Sequence, residues 1–139
     1  MLVLDTNHIT ELGYNTSRGL RLLSRIESSG NTAVTTIVTV EEQLRGWLAE
    51  ISKRSDLHQQ LPAYERLIER IEFFSAWLLL AFDSDAADLV KTLRSQGIRI
   101  GTLDLKIAAI TIVHDATLLT RNTVDFAEVP GLRFENWLD

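Results

Sequence analysis

One pattern constrains the fold of this chain more than any other. Short apolar or β-branched runs alternate with longer stretches of helical period. Residues 2–4, 32–38 (Thr-Ala-Val-Thr-Thr-Ile-Val), 77–82, 116–120 and 132–135 read as strands. The first strand is followed by a helix that ends before Gly13. A second helix, capped by Thr16 or Ser17, runs to about Ser28 with Leu20, Leu23 and Ile26 inward. A third, capped by Thr39, runs to about Lys53 with Val40, Leu44, Trp47, Leu48 and Ile51 on one face. A fourth starts near Pro62, a residue suited to a first turn, and turns Leu67, Ile68, Ile71 and Phe74 inward. Residues 84–96 form a helix stopped by Gly97, and Thr102 to His114 is apolar on almost every side, as a buried helix is. A short helical turn and a Pro130-Gly131 turn precede the last strand. Regular alternation of this kind implies an α/β fold of three layers, a mostly parallel central sheet with helices on both faces. At 139 residues the chain holds one core, so residues 1–139 read as a single domain.

Composition removes several classes of function. Apolar residues make up 45% and charged residues 24%, the balance of a soluble globular protein. There is no cysteine, which excludes disulfides, thiolate nucleophiles and zinc–thiolate sites. The start lacks a basic leader, and the longest apolar stretch, Ala76 to Phe82, is too short to span a bilayer. These features suit a cytoplasmic protein. A net charge of −5 argues against a binder that holds nucleic acid by simple charge. It leaves open an enzyme that reaches phosphate through a bound cation.

The acids carry the chemistry. Asp5 ends the first strand, Glu41 and Glu42 open the third helix, Asp104 opens the apolar helix, and Asp125 follows a late strand. Each has an ordinary explanation: an acid caps a helix or complements its dipole by about 0.3–1 kcal/mol. Thr39 with Glu42 also fits a capping box. Periodicity does not choose between Glu41 and Glu42. In a parallel sheet, however, all these points share the carboxyl edge, where ligands bind. Close carboxylates repel by on the order of 4 kcal/mol per pair at an effective dielectric of 20. A cluster therefore persists only if protonated or neutralised by a cation, and an all-oxygen ligand set suits Mg²⁺ or Mn²⁺.

The remaining polar residues say less. Arg18, Arg21 and Arg25 share one helical face, either a solvated stripe or a line of contacts to phosphate, with Arg121 a further candidate contact. His8, His58 and His114 show no ligand spacing and read as structural or surface residues. Gly46 and Ala49 form a small exposed face that suits a partner or a second copy. No Walker loop, dinucleotide glycine pattern or Ser-His-Asp signature is present.

Four motifs in order resemble those of PIN-domain ribonucleases, above all the toxins of VapBC-type toxin–antitoxin pairs. They are Leu-Asp5-Thr-Asn, Thr39-x-x-Glu42-x-x-x-Gly46, Gly101-x-x-Asp104-x-x-Ile-Ala-Ala and Leu-Thr120-x-Asn122-x-x-Asp125-Phe. The ending Val-Pro-Gly-Leu-Arg-Phe-Glu-Asn-Trp137 is similar to that group as well, so the resemblance covers nearly the whole chain. It selects Glu42 over Glu41 and implies that Asp5, Glu42 and Asp104 hold Mg²⁺ or Mn²⁺. Many PIN domains carry a fourth acid where this chain has Asn122. Asp125 either substitutes for it or braces the loop, and one tight metal is the expectation. Thr6, Thr120 and Asn122 would orient the carboxylates. The resemblance further implies a cytoplasmic endoribonuclease cleaving structured RNA such as tRNA or rRNA, held inactive by a cognate antitoxin, and a homodimer.

Three other readings stand beside this one. The first is a PIN nuclease of RNA maturation outside any toxin pair. The second is a phosphohydrolase with Asp5 as nucleophile, which Asn7 disfavours, since such enzymes place a second Asp there. The third is a binding module whose acids are only caps.

Overall fold

The computed structural model describes residues 1–139. Five short strands, β1 (Leu2–Leu4), β2 (Ala33–Thr36), β3 (Leu79–Leu80), β4 (Thr117–Leu119) and β5 (Arg133–Glu135), form one parallel sheet in the order β3-β2-β1-β4-β5. Seven helices connect them: α1 (Thr6–Gly13), α2 (Ser17–Ser29), α3 (Ile37–Ser52), α4 (Leu61–Ser75), α5 (Ser84–Ser95), α6 (Thr102–Val113) and α7 (Thr123–Phe126). The predicted α/β class and parallel sheet are what the chain adopts.

Strand alternation divides the core between the two faces of the sheet. Val3, Val34 and Leu118 point to one side, against α5 and the largely apolar α6 (Leu105 and Ile107 to Ile110). Leu2, Leu4 and Leu119 point to the other, against Ile9 of α1, Leu22 and Ile26 of α2, and Phe74 of α4. The helices thus cover both faces. β1 lies in the centre, so whatever follows it emerges at the middle of the carboxyl edge.

Several local expectations change. The β-branched run 32–38 does not stay extended. The strand ends at Thr36, whose hydroxyl accepts the Thr39 N–H at 3.0 Å and starts α3 at Ile37. Thr36, not Thr39, is therefore the cap, and the Thr39–Glu42 capping box does not form. Thr39 is buried, with its hydroxyl 3.1 Å from that of Thr36. The third strand is also shorter than 77–82.

In α2 the inward residues are Gly19, Leu22 and Ile26, while Leu20 and Leu23 face out. The cause is a close approach. A Cβ at Gly19 would lie 2.2 Å from the Glu11 carbonyl oxygen, so only glycine lets α2 pack onto α1, and that contact sets the rotation of α2. In α4 the inward line is Ala63, Leu67, Arg70 and Phe74, with Ile68 and Ile71 exposed. Two stripes compete on this helix, and the more apolar one lies outside. Leu48 of α3 is likewise exposed, and its predicted neighbours Val40, Leu44, Trp47 and Ile51 are half-buried.

Candidate active site

Asp5 follows β1 directly and caps α1 with an extended backbone (φ −77°, ψ 171°). Its N–H donates to the Leu119 carbonyl at 2.9 Å, which locks the tip of β1 to β4. One carboxylate oxygen accepts the Thr6 N–H at 2.8 Å, and the other accepts the Thr120 hydroxyl at 2.8 Å. Asp5 is only 5% exposed. Burial pushes its carboxyl above the usual carboxylate range, although the hydrogen bonds from Thr6 and Thr120 act to lower it.

Glu42 arrives from the second turn of α3, where the start at Ile37 sets its direction. Gln43 beside it donates from its side-chain amide to the Thr10 hydroxyl at 2.8 Å and ties α3 to α1. The Thr6 hydroxyl donates to Glu42 at 3.0 Å. Glu42 is half-buried, and its carboxyl is raised, by burial first and then by the charge of Asp5 against the opposing Thr6 hydrogen bond.

Asp104 stands in the first turn of α6. Its carboxyl is pushed up to about 6, by burial first and then by the charges of Asp5, Glu42 and Asp125. The Asn122 side-chain amide donates to Asp104 at 3.3 Å and to Asp125 at 3.1 Å, and the Asn122 N–H donates to the Thr120 hydroxyl at 3.0 Å. An unbroken hydrogen-bonded chain therefore runs Glu42–Thr6–Asp5–Thr120–Asn122–Asp104, with Asp125 on the same amide. Asn122 stands between two acids as a donor, a role no fourth carboxylate there could fill.

The four candidate acids and their three polar supports all meet at the carboxyl edge of β1, β2 and β4. In this arrangement no three His, Asp or Glu side chains converge on one ligating point. Each oxygen of Asp5 accepts one donor and keeps a further lone pair for a cation, and Asn122 holds Asp104 toward Asp125. The chemistry of the donor set nonetheless fits a hard dication. All donors are carboxylate oxygens, and burial, with mutual repulsion behind it, already raises Asp104 and Glu42. A cation there would relieve that repulsion.

A family model for the PIN domain matches residues 2–132, nearly the whole chain and all of this network. The chain belongs to the PIN-domain family. As a VapC-like PIN-domain protein it is 30% identical over 117 residues to Ribonuclease VapC2 of Rickettsia felis, spanning 83% of this chain and 81% of that relative. Among solved structures it is similar to DNA-bound VapBC of Salmonella typhimurium (TM-score 0.72, 25% identity, 98% of this chain and 97% of that one). It is also similar to FitAcB of Neisseria gonorrhoeae (TM-score 0.66, 25% identity, 99% and 98%).

Other residues of this VapC-like chain are placed as follows. Arg25 lies over the Trp137 ring at 4.2 Å, and Arg121 pairs with Asp139 at 3.0 Å, so both fasten the C-terminal segment. Arg18 is half-buried and Arg21 exposed. His8 is a structural histidine. It is fully buried, its Nε2 accepts the Trp137 N–H at 3.1 Å, and burial followed by the charge of Arg121 lowers its pKa to about 4. The sequence reading missed Thr36, although Thr-x-x-Thr before an apolar period is itself a capping signal. It also passed over Arg94 and Arg99, which carry no motif and come together on one cleft only in the fold.

Proposed function

We propose that this chain is a divalent-metal-dependent endoribonuclease, the toxin of a type II toxin–antitoxin pair. The observation that carries the reading is the single hydrogen-bonded network joining Asp5, Glu42, Asp104 and Asp125 at the centre of the carboxyl edge. Its membership of the PIN-domain family and its likeness to Ribonuclease VapC2 support the same conclusion.

Asp5, Glu42 and Asp104 would hold Mg²⁺ or Mn²⁺, which when bound supplies Lewis-acid activation of water and offsets charge at the phosphoryl group. The chain's own residues set up the reaction. Thr6 and Thr120 hold the Asp5 carboxylate in one orientation, and buried donors of this kind tighten a ligand that would otherwise rotate. Glu42, fixed by Thr6 but only half-buried, is placed to orient the attacking water. Asn122 holds Asp104 and Asp125 on one amide, and Asp125 braces the loop after β4 or supplies a fourth oxygen. The burial around Asp5 excludes bulk water and strengthens each of these interactions.

The substrate we assign is structured RNA, tRNA or rRNA, in the cytoplasm. No helix is long and apolar enough to cross a membrane. A protein partner is supported by the outward apolar stripe of α4, Leu61, Tyr64, Ile68 and Ile71, each about half exposed. The likeness to a solved VapBC structure supports a cognate antitoxin, and we assign a homodimer on the resemblance to VapBC-type toxins and on that apolar stripe. The test is cleavage of purified tRNA and rRNA with Mg²⁺ or Mn²⁺, wild type beside Asp5→Asn, with and without chelator. Metal-dependent cutting by wild type alone supports the reading. Equal cutting by Asp5→Asn would refute it. A covalent phospho-aspartate at Asp5 would favour the phosphohydrolase instead.

A further inference from the structure

An open cleft of about 400 Å³ is lined by Arg94, Ile98, Arg99, Ile100, Gly101 and Thr102, and so reaches the start of α6, whose first turn carries Asp104. Its two cations are free of carboxylates, since no ion pair of the chain involves either. Arg94 is held in place: it donates to the Ile98 carbonyl at 3.0 Å and to the Thr102 hydroxyl at 3.2 Å. A guanidinium has five N–H donors, so others remain for a ligand. Arg99 is exposed and makes no side-chain hydrogen bond of its own within the fold. Gly101 lines the cleft and also stands against Asp104: a Cβ there would lie 4.0 Å from an Asp104 oxygen.

This arrangement answers a physical difficulty. An RNA strand approaching four carboxylates on a chain of net charge −5 is repelled except where cations meet it. Arg121 and Arg25 are occupied at the C-terminal segment. Arg94 and Arg99 have no carboxylate partner and line a cleft that reaches Gly101, which stands against Asp104. From this we infer that Arg94 and Arg99 seat a backbone phosphate of the RNA strand next to the one that is cut. The inference rests on the nuclease reading above. It adds a phosphate subsite that positions the strand, contacts no base and takes no part in the bond-breaking step.

Arg99 is the residue to change, because Arg94 also holds the turn. Binding of a labelled tRNA is measured by anisotropy across a salt series, with Arg99→Ala, Arg99→Glu and Arg99→Lys each built on Asp5→Asn to prevent cutting. Loss of one phosphate contact is expected to weaken binding by about tenfold at low salt and to reduce the log–log salt slope by about 0.7–0.9. Arg99→Glu should weaken it further, Arg99→Lys least, and Arg54→Ala at the far end of α3 not at all. In parallel, the Asp5-intact enzyme carrying Arg99→Ala should hydrolyse bis(p-nitrophenyl) phosphate, which has no neighbouring phosphate, at the unaltered rate. Parental affinity and slope in Arg99→Ala and Arg99→Glu, with wild type still cutting RNA, would overturn the subsite alone. Equal loss on RNA and on the small diester would make Arg99 merely structural and also overturn it. If wild type neither binds nor cuts RNA, the nuclease reading falls and the subsite with it.

Discussion

Replacing Thr120 by valine removes one buried hydroxyl and keeps the side-chain shape. That hydroxyl donates to Asp5 at 2.8 Å and accepts the Asn122 N–H at 3.0 Å, and Thr120 is fully buried. A hydrogen bond to a charged group is worth about 1.5–3 kcal/mol, and an orphaned backbone N–H costs about 1 kcal/mol more. The expected loss is therefore about 2.5–4 kcal/mol while Asp5 is ionised. The sign with pH follows from the same contacts. Burial already raises the Asp5 carboxyl, and the Thr120 hydrogen bond acts to lower it. Thr120→Val thus raises it further, so the destabilisation is largest above that raised pKa and shrinks as acid protonates Asp5. Urea unfolding at pH 8 and pH 4 measures this, with an unchanged m-value as the sign that only stability has moved. A double-mutant cycle with Asp5→Asn isolates the charged bond, and a coupling of at least about 1 kcal/mol is expected. A Thr120→Val protein within about 0.5 kcal/mol of wild type at pH 8, and additive with Asp5→Asn, would refute the idea that Thr120 holds an ionised Asp5.

Three further outcomes are expected. His8 is neutral in the fold with a pKa of about 4, against 6.5 when unfolded, so its contribution to stability falls as pH drops from 6.5 to 4, by up to roughly 3 kcal/mol. The raised carboxyls act in the opposite direction, so the measurement is the difference in urea midpoint between wild type and His8→Gln, which should narrow across that window. Gly19→Ala places a Cβ 2.2 Å from the Glu11 carbonyl oxygen and should cost about 1–3 kcal/mol or more, read as a fall in melting temperature. Thr36→Ala removes the cap of α3 and should cost about 0.5–2 kcal/mol, with weaker Mn²⁺ binding by calorimetry because Glu42 rides on that helix.

The fold class was legible because β-branched runs and helical periods follow different repeats, and both are strong here. The carboxyl-edge position of Asp5 followed from the apolar run before it. What the sequence hid were choices settled by contact. Whether Thr36 ends a strand or starts a helix depends on its hydroxyl finding the Thr39 N–H. The rotation of α2 depends on the approach of Gly19 to Glu11, and the inward face of α4 on Arg70 stacking against Tyr14 and Phe73. At the site, the acids were visible as element-end residues, but the part played by Asn122 was not. Its donation to two carboxylates is a matter of distances across the fold.

The central claim is that one acid network makes this chain a metal-dependent RNA-cutting enzyme. The most direct measurement is to induce the chain in a bacterial host, wild type beside Asp5→Asn, and to sequence the 5′ ends of total RNA. Growth arrest with discrete new ends in wild type alone is the predicted result, and the ends would name the target. The same ends from folded Asp5→Asn protein, or none from either protein when both are folded and expressed, would contradict the account.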